Sequence, residues 1–157
     1  MSPRTAIRMV LPGALVCRPL AVRVVAEACR LVSSPQPHAE AVDLSSAGYD
    51  LRNRFDIDFI SAFMEIFNNI AVHAYRRTGN GDVEIAIGVH PGELVVELKD
   101  FGVPFDLSTV PEPALDELPE GGMGIHIART MLDEMAYEPG PPNLWRMIKR
   151  IAPSQPA

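Results

Sequence analysis

Apolar residues recur at helical spacing between about residues 56 and 77. Ile60, Phe63, Phe67, Ile70, Ala71 and Ala74 share one face of a 3.6-residue helix. Steps of four place Glu65, Asn69 and His73 in a line on the other face. Asp56 or Asp58 is placed to cap the start of this helix, and Gly79-Asn80-Gly81 to stop it. A second helical pattern, Leu20, Val24, Ala28 and Leu31, runs over Pro19–Val32, with Pro19 suited to a first turn. Partial alternation marks strands over Asp82–Val89 and Glu93–Lys99, which His90-Pro91-Gly92 joins as a hairpin. Thr5–Val10 reads as a short strand. Glu134–Glu138 and Asn143–Ile151 form a second hairpin around the turn Pro139 to Pro142. Gly122-Met123-Gly124 opens a third helix, from Ile125 to about Asp133. Ser33–His38 is a loop, Glu40–Arg54 stays open between strand and turn, and Phe101–Gly121 is a long loop with room for one helical turn. Helices mixed with antiparallel hairpins predict an α+β fold, a two-layer α/β sandwich with a mostly antiparallel sheet. One domain is expected over residues 1–151, with 152–157 a flexible tail.

Composition narrows the function classes. A chain of 157 residues with 47% apolar content can bury a core without staples. A net charge of −6 argues against a general nucleic-acid or anionic-membrane binder, both of which need a basic footprint. Cys17 and Cys29 lie twelve apart with no CxxC spacing, so they read as small hydrophobes in a reducing compartment. The apolar run Met9 to Val16 is interrupted by Pro12 and Gly13 and reads as no signal peptide, and no stretch is apolar enough to span a membrane. A cytoplasmic location is expected.

Three groups of residues carry candidate chemistry. On the helix, Glu65 can take a proton, the Asn69 amide oxygen can bind a hard cation such as Mg²⁺, and His73 can orient or donate. Asn68 and Asn69 sit mid-helix, where asparagine competes with the backbone. In Asp100-Phe101-Gly102-Val103-Pro104-Phe105-Asp106, a carboxylate ends a strand and could accept from a ligand amino group, while Gly102 permits a sharp exit. Gly121-Gly122-Met123-Gly124 precedes a helix, an arrangement that suits an anion. It is neither a phosphate-binding P-loop nor a dinucleotide fingerprint. Taken singly, these features have plain alternatives: a solvated face, a strand-ending turn and a loop break.

In order, Glu-x-x-x-Asn-x-x-x-His on a helix, Asp-x-Gly-x-Pro-Phe-Asp after a hairpin and Gly-Gly-x-Gly opening a helix resemble the GHKL ATPase superfamily, with its Bergerat ATP-binding fold. His73-Ala74-Tyr75 and the closing Asn143-Leu144-Trp145-Arg146-Met147-Ile148-Lys149 look like its anti-sigma factor and serine-protein kinase branch. The resemblance implies ATP and Mg²⁺ as cofactors, with Asn69 coordinating the metal, Glu65 as general base and His73 supporting the site. It implies that Asp100 recognises the adenine amino group, that Gly102 lets the base approach, and that Gly122, Met123 and Gly124 line the phosphates. It further implies a homodimer that sequesters a sigma factor and phosphorylates a serine or threonine of a STAS-domain anti-anti-sigma factor. A nucleotide-bound module that holds its partner but transfers phosphate poorly is the alternative.

Two departures from the pattern stand out. Residues 101–123, the expected lid over the nucleotide, contain no Lys or Arg but do contain Asp106, Glu112, Asp116, Glu117 and Glu120. A cation for the terminal phosphate must therefore come from Mg²⁺, Arg76, Arg77, Arg129 or a partner. Where many family members keep a threonine that binds adenine through water, this chain has Pro142-Asn143-Leu144, with Asn143 the candidate substitute.

Overall fold

Alternation along the central strands decides which face of the sheet is buried. In β2 (Asp82–His90) and β3 (Glu93–Asp100), Val83, Ile85 and Ile87 and then Leu94, Val96 and Leu98 point to one side and are fully buried. The computed structural model describes residues 5–33, 53–76, 79–109 and 123–153. The predicted hairpin is present, with Gly92 at φ 73° in its turn, a left-handed conformation that glycine adopts without penalty. β1 (Thr5–Pro12) pairs with β2, and β5 (Asn143–Arg150) lies between β3 and β4 (Glu134–Glu138). The order is β1-β2-β3-β5-β4, and every neighbouring pair is antiparallel.

Register arranges the buried face in rows. Ile85 lies opposite Leu98 and Leu98 opposite Trp145; Ile87, Val96 and Met147 make the next row. The last row contains Val83, Asp100 and Asn143, so two polar residues end an otherwise apolar layer.

The helices α1 (Arg18–Ser33), α2 (Arg54–Asn69) and α3 (Met123–Met131) complete the second layer. Helix α1 is where predicted, but it is turned relative to the predicted face. Leu20 and Leu31 are exposed, while Ala21, Val22, Val25, Ala28, Cys29 and Val32 are buried. Small side chains let the helix settle closely on α2 and the sheet, which outweighs the larger area of the leucines. Cys29 is buried and Cys17 half-buried, and both are free thiols; burial pushes the Cys29 thiol well up.

Helix α2 buries Phe59, Ala62, Phe63, Ile66 and Phe67 completely, a wider stripe than its sequence pattern indicates, because α1 and α3 flank it. Its cap is Asn53, whose Oδ1 accepts from the backbone N–H groups of Phe55 and Asp56. The expected caps are occupied elsewhere. Asp56 accepts from Ser33 Oγ at 2.8 Å, and Asp58 forms an ion pair with Lys149 of β5 at 3.2 Å. The α-helix also ends sooner than predicted, at Asn69, and passes into a π-helical turn over Ile70–Ala74. The wider turn shifts the phase of the residues that follow, which leaves Ala71 only half-buried.

Tyr75 anchors the end of this turn. Its hydroxyl donates to the Asp82 carbonyl at 2.5 Å and accepts from the Phe101 N–H at 3.0 Å. Its ring fills space that a side chain at Gly81 would need, since a Cβ there would lie 1.8 Å from the ring. The π turn, the start of β2 and the exit of β3 are thereby held together.

Candidate functional site

Two cavities open along the polar side of α2. The larger, about 460 Å³, falls within the range of small-ligand pockets. Asn69, Ile70, His73, Ala74 and Arg76 form one wall, and Val103, Pro104 and Phe105 form another. Asp100, Tyr137 and Trp145 close its sheet side. The aromatic lining is mutually packed: the Tyr137 and Trp145 rings are 4.3 Å apart between centroids, and Phe105 meets Tyr137 edge to face. The Phe105 N–H donates to the Tyr137 hydroxyl at 2.7 Å, which fixes the loop leaving β3 over the cavity.

Asp100 follows Leu94, Val96 and Leu98 on the buried face and is only 1% exposed. Its Oδ1 accepts from Asn143 Nδ2 at 2.8 Å and from the Gly102 N–H at 3.0 Å. Burial pushes its carboxyl above the usual value, and these two bonds partly oppose the shift. Both bonds fall on Oδ1, so among the described residues Oδ2 is left to a ligand donor in the cavity. Asn143 is equally committed: Nδ2 also donates to the Gly102 carbonyl at 3.0 Å, and Oδ1 accepts from the Gly140 N–H at 2.9 Å.

The smaller cavity, about 200 Å³, lies against the same helix, lined by Glu65, Asn68, Asn69, Val72 and His73, with Gly124 and Ile125 of α3 opposite. Asn69, His73 and Phe105 line both cavities. A Cβ on Gly124 would lie 2.2 Å from Glu65 Oε2, so the glycine leaves the space that the carboxylate occupies. Among the described residues, neither Glu65 nor Asn69 spends its side chain on a protein hydrogen bond or ion pair.

Glu65, Asn69, His73, Asp100 and Gly124 are thus gathered around two cavities that share Asn69, His73 and Phe105. Met123 begins α3 half-buried, and Gly122 lies outside the described residues. Gly102 lies against the π turn. A Cβ there would lie 2.1 Å from the Ala74 carbonyl oxygen, so the loop's close approach to the π turn requires the glycine, with the Val103 N–H donating to Ala74 O at 2.7 Å. Of the candidate cations, Arg76 lines the larger cavity, Arg129 is exposed, and Arg77 and most of the acidic lid lie outside the described residues. Sequence reasoning missed the aromatic lining and the Asp100–Asn143 pair. The signal for the pair was available, because continuing the alternation of β3 and β5 puts both residues on the buried face.

The donor set suits a magnesium–nucleotide complex. No group of three His, Cys, Asp or Glu able to hold a metal is gathered among the described residues. Mg²⁺ bound by one or two protein oxygens, water and substrate phosphates needs no such cage, and the uncommitted Asn69 oxygen fits that role.

The two-layer sandwich places these cavities between helix and sheet. The histidine kinase-like ATPase domain family matches residues 20–149, and the chain belongs to that family. The chain is 34% identical over 89 residues to the serine-protein kinase RsbW of Bacillus subtilis, covering 52% of this chain and 56% of that protein. It is 30% identical over 102 residues to RsbW of Bacillus licheniformis, covering 60% and 62%. These matches thus span less than two thirds of the relatives' length. A histidine kinase domain from Erythrobacter litoralis EL346 superposes with a TM-score of 0.49 at 19% identity, covering 62% of this chain and 45% of that one. No helix among the described residues is long and apolar enough to cross a membrane.

Proposed function

We propose that the chain binds magnesium–ATP along the joined cavities and transfers the terminal phosphate to a protein hydroxyl. The observation that carries this reading is the pair of cavities, one reaching the buried Asp100 and the other the Glu65–Gly124 contact, with Asn69 and His73 lining both. Asp100 accepts the adenine amino group on Oδ2, and Tyr137, Trp145 and Phe105 pack against the base. Asn69 offers its amide oxygen to Mg²⁺, which when bound neutralises charge on the phosphate oxygens. The backbone at Met123 and Gly124 faces the phosphates from the start of α3, and Gly122 is assigned to the same role by its place in the Gly-Gly-x-Gly motif. Glu65 draws the proton from the incoming serine or threonine hydroxyl, a role that contributes roughly 10²- to 10⁴-fold to rate. His73 orients groups between the two ends.

The resemblance to the anti-sigma branch supports the partner assignment, and the relatives' name, serine-protein kinase, supports a serine acceptor. On that reading the chain, as a cytoplasmic homodimer, holds a sigma factor and phosphorylates a STAS-domain anti-anti-sigma factor. One observation favours the nucleotide-binding module with little phosphotransfer: the described lining of the smaller cavity contains no Lys or Arg. Incubation with γ-labelled ATP and a STAS-domain protein encoded nearby separates the two. Label on a serine or threonine, lost in Glu65→Ala while nucleotide still binds, supports the kinase. Nucleotide binding without label supports the module.

A further inference from the structure

The smaller cavity has no Lys or Arg in its described lining, and none stands in the chain from 101 to 123. A guanidinium is nevertheless bonded to one of its lining residues. Arg18, the first residue of α1, donates from Nη1 to Asn68 Oδ1 at 2.7 Å, and Asn68 lines that cavity together with Glu65 and Asn69. Arg18 and Asn68 are fifty residues apart in the chain, so the contact is made by the packing of α1 on α2.

Arg18 differs from the paired basic residues. Arg30, Arg54, Arg146, Lys149 and Arg150 each face a carboxylate, whereas Arg18 has none among the described residues. It is half-buried, its charge is not neutralised, and only one of its five N–H donors is bonded. Asn68, a poor residue for mid-helix, uses its amide oxygen to hold this fork in place.

We infer that Arg18 is a binding residue for the terminal phosphate, supplying from α1 the positive charge that residues 101–123 lack. The planar guanidinium suits two phosphate oxygens at once, and Asn68 holds it beside the cavity that Glu65 and Gly124 share. The inference rests on the nucleotide reading of that cavity and adds a specific consequence: ATP is held more tightly than ADP, and Arg18 is the reason.

Calorimetry with Mg-ATP and Mg-ADP on the wild type, Arg18→Gln, Arg18→Lys and Asn68→Ala tests it. Glutamine is shorter than arginine and does not reach the Asn68 oxygen, so Arg18→Gln removes charge and contact together, while Asn68→Ala removes the contact alone. The expected result is a loss of about tenfold in ATP affinity with ADP affinity unchanged, the size of one charge-assisted hydrogen bond. Arg18→Lys should recover part of the loss, and Asn68→Ala should show a smaller loss, also confined to ATP. An ATP-to-ADP ratio unchanged in both Arg18→Gln and Asn68→Ala, or an equal fall for both nucleotides, overturns the inference while leaving nucleotide binding intact. A wild type that binds neither nucleotide overturns the underlying reading as well.

Discussion

Replacing Asn143 with alanine tests how the polar end of the sheet is held. Asn143 is 1% exposed and spends its side chain on Asp100 Oδ1, the Gly102 carbonyl and the Gly140 N–H. A bond to a charged group contributes about 1.5–3 kcal/mol and a neutral one about 0.5–1.5 kcal/mol. Three bonds therefore sum to about 2.5–6 kcal/mol, and because they share one site their effects overlap. A loss of about 3 kcal/mol is expected, a large part of ordinary domain stability. Urea unfolding should show the midpoint falling by about 1.5 M if m stays near about 2 kcal/mol/M. Asp100 would also lose the bond from Asn143 that lowers its pKa, so burial would push its carboxyl higher still and adenine-nucleotide affinity should fall with stability. A loss below about 1 kcal/mol with unchanged nucleotide affinity would refute the reasoning, because the network would then be neither structural nor linked to recognition.

The other predictions use the same geometry. Asp100 has a folded pKa raised above 3.8, so its contribution to stability is present below that value and is lost as pH rises through the folded pKa. Asp100→Asn should therefore unfold at the same or higher urea concentration than wild type at neutral pH while losing adenine-nucleotide binding; a marked destabilisation would contradict burial as the leading influence. Wild-type nucleotide affinity should weaken on acidification as Asp100 protonates, at a pH above that of an ordinary aspartate, and a profile flat down to pH 3.8 would oppose the role of Asp100 as acceptor. Gly102→Ala should cost about 1–3 kcal/mol in urea unfolding, because the added methyl meets fixed backbone at Ala74. Gly124→Ala meets the flexible end of Glu65 instead, so its melting point should hold while labelled phosphate transfer drops; the reverse pattern for the two glycines would contradict the packing.

How much of this was legible in the sequence differs by element. The strands and α2 were readable because alternation and helical spacing are properties of the chain itself. The phase of α1 was not, since Leu20 and Leu31 are the larger apolar residues and only tertiary packing reveals that the alanines and valines face inward. The cap at Asn53 was hidden because Asp56 and Asp58 are equally good capping types, and long-range partners, Ser33 and Lys149, claim them. The π turn left no periodic trace in five residues. At the candidate site, Glu65 and Asn69 were legible through spacing within α2, whereas His73 lies in the π turn beyond its end, where 3.6-residue spacing no longer holds, and still lines both cavities. The Asp100–Asn143 pair and the Arg18–Asn68 contact span 43 and 50 residues, distances over which local pattern carries no geometry.

The most direct test of the central claim uses the single tryptophan, Trp145, which lines the larger cavity. Titration of the wild type with ATP in the presence of Mg²⁺, followed by Trp145 fluorescence and by calorimetry, should show saturable binding that Asn69→Ala abolishes. No heat and no fluorescence change at any Mg²⁺ concentration, or undiminished binding by Asn69→Ala, would contradict the account.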